Sequence, residues 1–128
     1  MEAGSILIDT SIIIDHLRKK NKKKSRLFNI IENYDLFIST ITIYELFAGA
    51  LDETKRKDIN DFLILAEILP FTRETAECAG DIYLTLRNQN ELIDARDIFI
   101  AATALIHQLP LMTLNVKHFN RIDELRIW

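Results

Sequence analysis

The stretch Ile6-Leu7-Ile8-Asp9-Thr10-Ser11 combines a short apolar run with the polar residues that end it. A run this short and this rich in β-branched residues predicts a buried strand. Thr10 or Ser11 is expected to cap a helix that follows from Ile12 to Lys20. The stretch therefore predicts a strand that passes directly into a helix, with Asp9 at the junction.

The same alternation of strand and helix recurs along the chain. Further short apolar strands are predicted at Leu36–Ile38, Ile68–Phe71 and Leu111–Leu114, with a final edge strand at Leu125–Ile127. Apolar spacing predicts helices over 27–31, from Ser39 or Thr40 to about Ala50, over 59–66, from Thr72 or Glu74 to Leu86, from Asp94 to His107, and as a turn or short helix over Val116–Asn120. This alternation indicates an α/β fold with a short, mainly parallel central sheet flanked by helices. No linker or repeat divides the sequence, so one domain over residues 1–128 is expected.

Composition excludes several classes of protein. Hydrophobic residues make up 48% of the chain and charged residues 27%, and no apolar run approaches the roughly 20 residues that cross a bilayer. The N-terminus lacks the basic start and longer apolar stretch of a signal peptide, so a cytoplasmic protein is expected. Cys78 is the only cysteine, which excludes an intramolecular disulfide and a cysteine-rich zinc site. The glycine motifs of P-loop, dinucleotide-binding and α/β-hydrolase proteins are absent.

Charge is distributed unevenly. The formal net charge of −3 argues, taken alone, against a nucleic-acid partner. Seven of the sixteen basic residues nevertheless fall within one basic segment (18–26), namely Arg18, Lys19, Lys20, Lys22, Lys23, Lys24 and Arg26. Such cations repel one another unless they are solvated or face an anion such as phosphate. The basic segment is therefore either a solvated helix end and loop or a contact for RNA.

Four acidic or amide side chains lie at the ends of predicted strands or beside apolar runs, where a functional role is a reasonable interpretation. Asp9 follows the first predicted strand and Asn115 follows the fourth, and functional residues of parallel sheets collect at these strand ends. Glu45 lies in an apolar run, where an ionised carboxylate is costly unless it is paired, bound to a metal or exposed on a narrow stripe. Asp97 precedes the most apolar helix, for which Asp94 is the expected N-cap.

Three carboxylates at one place would repel one another unless a cation neutralised them. Oxygen ligands without a cluster of Cys and His select Mg²⁺ or Mn²⁺ over zinc. Such an ion can activate a water for attack and stabilise charge on a phosphodiester. The residues alone thus indicate a hydrolytic metal site, while turn, cap or surface roles remain open for each of them.

Four stretches together resemble the motifs of PIN-domain nucleases, most closely those of VapC toxins of type II toxin–antitoxin pairs. They are Ile8-Asp9-Thr10-Ser11, Tyr44-Glu45-Leu46, Asp97-Ile98-Phe99-Ile100-Ala101-Ala102-Thr103-Ala104 and Thr113-Leu114-Asn115-Val116-Lys117-His118-Phe119. No single one of them is specific, because an Asp after a strand is common. Their order and spacing, which cover the chain nearly end to end, make the resemblance specific.

The resemblance implies a metal-dependent endoribonuclease that hydrolyses RNA with a metal-activated water. The implied ligands of Mg²⁺, or alternatively Mn²⁺, are the carboxylates of Asp9, Glu45 and Asp97, with Asp94 as an additional candidate. Asn115 matches a fourth position that is often Asp; its amide would support the water or the metal shell without adding charge, which leaves open one ion or two. Hydrogen bonds to these groups are expected from the hydroxyls of Thr10, Ser11 and Thr113.

The resemblance also implies partners. These are an RNA substrate, a second copy of the chain in a homodimer, and a small cognate VapB-like antitoxin that blocks the acidic site. One alternative is a PIN-fold nuclease that processes RNA without an antitoxin. Another is a non-catalytic PIN-fold module that binds RNA or protein, against which the retained Asp9, Glu45 and Asp97 argue.

Overall fold

The computed structural model describes residues 4–128. Its strands are β1 (Gly4–Ile8), β2 (Tyr34–Ser39), β3 (Ala66–Leu69) and β4 (Leu111–Met112). Its helices are α1 (Thr10–Arg18), α2 (Thr40–Ala48), α3 (Glu53–Leu63), α4 (Arg73–Asn88), α5 (Ala95–Ile106) and α6 (Val116–Phe119). Residues 1–3, part of the stretch on which the expected cytoplasmic location rests, lie outside the described residues. Within residues 4–128, no helix has the length and apolar character needed to cross a membrane.

The strands form one parallel sheet in the order β3-β2-β1-β4. Central β1 pairs with β2 from Gly4 opposite Tyr34 to Leu7 opposite Phe37. On its other side β1 pairs with β4, where Ile8 lies opposite Met112. Because the strands are parallel, their carboxyl ends meet at one edge of the sheet, and this edge is where functional residues of such folds collect. The predicted α/β fold with a short parallel sheet is confirmed.

The side chains of β1 alternate between two apolar cores on opposite faces of the sheet. Ile6 and Ile8 pack with residues of α1, α2 and α3, whereas Leu7 packs with residues of α4 and α5. All three side chains are fully buried. Burial of each such side chain contributes about 1.5–3 kcal/mol, so both faces of the sheet must be covered by helices. The alternation along β1 therefore gives each face its own set of packed helices. The result is a three-layer arrangement with β1 at its centre.

The third strand lies two residues earlier than predicted. It spans Ala66–Leu69 rather than Ile68–Phe71, because its register is set by pairing with β2. Pro70 follows it and has no N–H with which to continue the ladder. Helix α3 accordingly ends at Leu63, so the prediction that it continued to Ala66 was wrong.

Three other predicted elements are shorter in the structure. The helix expected over 27–31 is only a 3₁₀ turn, Leu27–Asn29, whose apolar side chains still reach the core through Leu27 and Ile30. The expected edge strand at 125–127 is reduced to one bridge between Leu111 and Ile127. Strand β4 ends at Met112 because the next residues turn toward the end of β1.

Side-chain caps begin several of the helices. The side-chain oxygens of Ser39, Thr72 and Asp94 each accept a backbone N–H in the first turn of α2, α4 and α5 respectively. Helix α1 instead begins at Thr10 with Asp9 in the N-cap position and no side-chain cap bond. The prediction that Thr10 or Ser11 caps α1 was therefore wrong, and both hydroxyls bond to carboxylates instead.

Candidate active site

Asp9 lies directly beyond the carboxyl end of β1 and is only 2% exposed. The hydroxyls of Ser11 and Thr113 donate to its Oδ2 at 2.7 and 2.8 Å. A buried carboxylate requires such donors, because an unpaired charge is costly away from water. Both bonds end on the same oxygen, so neither hydroxyl occupies Oδ1. The two donors therefore fix the orientation of Asp9 and leave one of its oxygens for another partner.

The loop after β4 is held against the start of α1 by the same hydroxyls. Ser11 Oγ accepts the backbone N–H of Leu114 at 3.1 Å, and Thr113 Oγ1 accepts that of Asn115 at 2.9 Å. These bonds bring the fourth motif to Asp9, as the resemblance implied. The side chain of Asn115 is exposed and does not cap α6, so its catalytic role stays a prediction.

Glu45 reaches this edge of the sheet from α2. Ser39 at the end of β2 caps α2 by accepting the N–H of Thr42 at 3.1 Å, which fixes where the helix starts. Thr10 Oγ1 then donates to Glu45 Oε1 at 2.7 Å and lies 3.0 Å from the Thr42 hydroxyl. Two neighbouring residues of α1, Thr10 and Ser11, thus hold two different carboxylates.

Asp97 is half-buried in the first turn of α5, beside these groups. Burial raises its pKa to about 6, helped by the negative charges of Asp9, Asp94 and Glu45, while His118 acts in the opposite direction. The contribution of each carboxylate requires that it lie near Asp97, because the Coulomb interaction falls off with distance. The structure therefore places Asp97 within electrostatic reach of Asp9 and Glu45, the two other predicted ligands.

Arg96 links Asp94 to Glu45. Asp94 Oδ1 accepts the Arg96 backbone N–H at 2.8 Å and its Nε–H at 3.1 Å, and Oδ2 lies 3.3 Å from the Nη2 donor. The Arg96 Nη1 lies 3.8 Å from Glu45 Oε2, so the arginine pairing left open for Glu45 is present. The side-chain hydrogen bond from Arg96, followed by its backbone bond, lowers the pKa of Asp94. Asp94 thus acts as a helix cap, and its role as a metal ligand stays a prediction.

The sequence prediction did not include Arg96 among the functional residues. The available signal was its position directly before Asp97 and two residues after Asp94. Its contact with Glu45 could not be read from the sequence, because Glu45 is on another helix. His118 belongs to the fourth motif, and in the structure its charge acts to lower the pKa of the Asp97 carboxyl.

The site carries the type of ligand that a hard divalent cation prefers, namely carboxylate oxygens. Within residues 4–128, no three Asp, Glu, His or Cys side chains converge closely enough to hold an ion as they stand. Hydroxyls and Arg96 instead hold Asp9 and Glu45, as expected for like charges that repel one another. Burial raises the pKa of Asp97 most, and repulsion by the other carboxylates, which a divalent cation would relieve, raises it further. The donor set therefore fits such an ion in chemistry.

All seven cations of the basic segment (18–26) are exposed, but not all are free. Lys22 Nζ donates to the carbonyls of Leu17 and Lys19 at 2.6 and 2.8 Å and so completes the end of α1. Arg18 lines the same groove as Glu45, which connects the segment to the acidic site. Contact between the basic segment and RNA stays a prediction.

Comparison with known proteins agrees with this geometry. The PIN domain family matches residues 6–125. Ribonuclease VapC1 of Methanocaldococcus jannaschii is 35% identical over 123 residues, which cover 96% of this chain and 85% of that protein. Ribonuclease VapC of Rickettsia bellii is 36% identical over 130 residues, which cover 95% of this chain and 93% of that protein. A DNA-bound VapBC structure from Salmonella typhimurium matches with a TM-score of 0.84 at 25% identity, covering 98% of this chain and 97% of that one.

A parallel sheet with acidic side chains gathered at the carboxyl ends of its strands defines an α/β protein with an acidic active-site edge. The chain belongs to the PIN domain family. Its curated relatives include VapC ribonucleases that are 31–37% identical over nearly the whole chain. The resemblance to VapC proteins is thereby confirmed.

Proposed function

We propose that the protein is a metal-dependent endoribonuclease, the toxin of a type II toxin–antitoxin pair. The observation that carries this proposal is that hydroxyl groups orient the carboxylates of Asp9 and Glu45, while Asp97 lies within electrostatic reach of both. It is supported by relatives named ribonucleases that match along almost the entire chain. A hydrolase for phosphodiesters needs this type of site, because it can bring positive charge to an anionic substrate.

Mg²⁺, or alternatively Mn²⁺, would be held by the carboxylates of Asp9, Glu45 and Asp97. When bound, the ion supplies positive charge that lowers the pKa of the attacking water and offsets the charge of the phosphodiester. Ser11 and Thr113 keep Asp9 in one orientation. Side chains that orient ligands in this way commonly change metal affinity or activity by 10- to 100-fold when they are removed.

The remaining residues of the site position the carboxylates and the attacking water. Thr10 orients Glu45 through its 2.7 Å hydrogen bond, as Ser11 and Thr113 do for Asp9. The backbone N–H of Asn115 donates to the hydroxyl of Thr113. The side-chain amide of Asn115 would contact the attacking water or the metal shell. Asp94 keeps its place as the cap of α5 and the partner of Arg96.

The test is RNA cleavage by the purified protein with and without Mg²⁺ or Mn²⁺, beside an Asp9→Asn variant. We expect cleavage that needs the metal, stops with EDTA and is lost in the variant. The variant keeps the size of the side chain, removes its negative charge and replaces one carboxylate oxygen with an amide nitrogen that cannot bind the metal. Equal cleavage by Asp9→Asn, or cleavage unaffected by EDTA, would contradict the proposed mechanism.

A VapB-like antitoxin is the proposed protein partner, as in the VapBC complexes among similar structures. A groove suited to an apolar segment runs between α1, α2 and α3, and Glu45 lies in its wall. Its apolar lining comes from Ile14, Leu17, Leu46, Ala50 and Ile59. A segment seated there would end beside a site carboxylate and obstruct the substrate.

The partnership can be tested by co-expression with the product of an adjacent small gene. We expect a complex of the two proteins that no longer cleaves RNA. A chain that stays unbound and active in the presence of that product would refute the partnership.

A homodimer and a cytoplasmic location complete the proposal. Light scattering on the purified chain measures the first, and a mass equal to one chain at all concentrations would contradict it. The cytoplasmic location stays a prediction.

A further inference from the structure

We propose that Tyr44 and Arg96 form a contact surface for one unpaired nucleotide of the substrate, with Arg96 on a phosphate and Tyr44 stacked on a base. This inference rests on the proposed ribonuclease function and adds a specific surface to it. The surface lies on the α2 and α5 side of the acidic site. It is distinct from the basic segment (18–26), which belongs to the other end of α1.

Arg96 is fixed in place and still has free donors. Asp94 binds it through its backbone N–H and two side-chain nitrogens at 2.8 to 3.3 Å. Its third guanidinium nitrogen, Nη1, lies 3.8 Å from Glu45 Oε2, an ion-pair distance rather than a hydrogen bond. The Arg96 side chain is 51% exposed. Because a guanidinium has five N–H donors in a rigid fork, Asp94 leaves Nη1 available to an oxygen anion beside Glu45.

Tyr44 is the exposed aromatic residue next to Glu45. It precedes Glu45 in α2 and is 62% exposed, whereas Thr42 and Leu46 of the same helix are buried. The pKa of Arg96 is raised, first by its hydrogen bond and charge contact with Asp94, then by Glu45, with a smaller contribution from Tyr44. Tyr44 is also the sequence neighbour of Glu45, whose Oε2 lies 3.8 Å from Arg96 Nη1. Core packing does not account for a ring so exposed at this place.

The acidic site needs positive charge nearby to attract the phosphates of the substrate. Asp9, Glu45 and Asp97 repel a phosphodiester, and a bound ion at the reacting phosphate does not help the neighbouring phosphates. Arg96 supplies a fixed positive charge beside Glu45 that a phosphate of the chain can contact. Proteins that bind single-stranded RNA combine arginine contacts to phosphate with aromatic rings on which bases stack. In a duplex the base faces are covered, so this surface selects an unpaired nucleotide.

The experiment measures binding of a short fluorescent single-stranded RNA of mixed sequence to the full chain with Asp97→Asn, which prevents turnover. Arg96→Ala, Arg96→Lys, Tyr44→Ala and Tyr44→Phe are added to this parent, and binding is followed over a range of salt concentrations. Two matched controls lie on α4: Arg73→Ala removes an exposed arginine paired with Glu77, and Tyr83→Ala removes an exposed tyrosine. Melting temperatures show that each variant is folded.

We expect Arg96→Ala to weaken binding and make its dependence on log salt shallower by about 0.7, the value for one phosphate contact of a single strand. Tyr44→Ala should weaken binding by roughly tenfold with an unchanged salt slope, while Tyr44→Phe stays within about twofold, because stacking uses the ring. Arg96→Lys should keep the salt slope and lose part of the affinity, because lysine carries the charge without the fork held by Asp94.

Unchanged binding by Arg96→Ala or Tyr44→Ala would overturn the inference, as would equal losses in the α4 controls or equal binding of duplex RNA. These outcomes leave the proposed ribonuclease intact if the unmodified chain cleaves RNA in the metal-dependent assay. Failure of that cleavage assay contradicts the proposed function instead. An Asp97→Asn parent that binds no RNA would overturn the inference as well, while the cleavage assay on the unmodified chain still decides the proposed function.

Discussion

Thr113 donates its hydroxyl hydrogen to Oδ2 of Asp9 at 2.8 Å, across 104 residues of sequence. The bond joins the loop after β4 to the junction between β1 and α1, and both residues are buried. Thr113 Oγ1 also accepts the backbone N–H of Asn115 at 2.9 Å. One hydroxyl therefore orients a candidate metal ligand and fixes the loop that carries the fourth motif.

Replacement of this hydroxyl should impair the site more than the fold. Thr113→Val keeps the shape of the side chain but leaves Asp9 with one hydroxyl donor, that of Ser11. We expect Mn²⁺ affinity and RNA cleavage to fall by about 10-fold or more, as for other residues that orient metal ligands. The free energy of unfolding should fall by about 1–2 kcal/mol, because a buried carboxylate loses a hydrogen bond. Calorimetric Mn²⁺ titration, cleavage rates and urea unfolding measure the three quantities.

The matched control is Thr75→Val on α4. Thr75 is also a buried threonine, and its hydroxyl pairs with that of Thr72 at 3.0 Å rather than with a carboxylate. It should lose stability without a change in Mn²⁺ affinity. Equal loss of Mn²⁺ affinity in both variants, or none in Thr113→Val, would show that the Thr113 hydroxyl does not orient a ligand.

Asp97 should make the metal-free protein less stable at neutral pH than it is in acid. Its carboxyl has a pKa of about 6 in the folded chain and 3.8 as its ordinary value. Between these values the folded state keeps a proton that the unfolded state has released, so stability falls as the pH rises toward 6. Above that range the deficit is constant, and below pH 3.8 it disappears.

Asp97→Asn removes this deficit, because the amide carries no charge. At pH 7.5 in EDTA we expect the variant to gain about 1 kcal/mol, or roughly 3–5 °C in Tm, after solvent screening of a half-exposed group is allowed for. The gain should vanish near pH 4, while metal-dependent cleavage is lost throughout. An equal Tm difference at both pH values would refute the raised pKa of Asp97 as its cause.

The sequence was sufficient for residues whose role depends on their place next to a strand or within a helix. Asp9 was found because it ends β1, and Ser39 and Asp94 were found because they precede helices whose orphan N–H groups need acceptors. Arg96 was missed because its contact with Glu45 depends on how α5 packs against α2. The predicted position of β3 was wrong for a similar reason. The register of this strand is set by its pairing with β2 and not by its own apolar run.

The cap of α2 offers a test of how local structure positions Glu45. Ser39→Ala removes the acceptor for the Thr42 N–H and should cost about 1 kcal/mol of unfolding free energy, as loss of an N-cap does. Because α2 carries Glu45, we also expect a several-fold loss of cleavage. Thr72→Ala removes the corresponding cap of α4 and should cost similar stability with unchanged cleavage per folded molecule. If the two variants lose cleavage to the same extent, the cap of α2 has no specific role in positioning Glu45.

The basic segment (18–26) has one observed role, at the end of α1, and one predicted role, in RNA contact, and substitution should separate them. Lys22 is bonded to the carbonyls at the end of α1, whereas the side chains of Lys23 and Lys24 extend into solvent. Lys22→Ala should lower the free energy of unfolding by about 0.5 kcal/mol, since a cation at a helix C-terminus is stabilising. The double change of Lys23 and Lys24 to Ala should leave stability unchanged. It should weaken RNA binding and make the dependence on log salt shallower by up to about 1.4, the value for two phosphate contacts of a single strand. An unaltered salt slope in the double variant would identify the segment as a solvated surface without RNA contact.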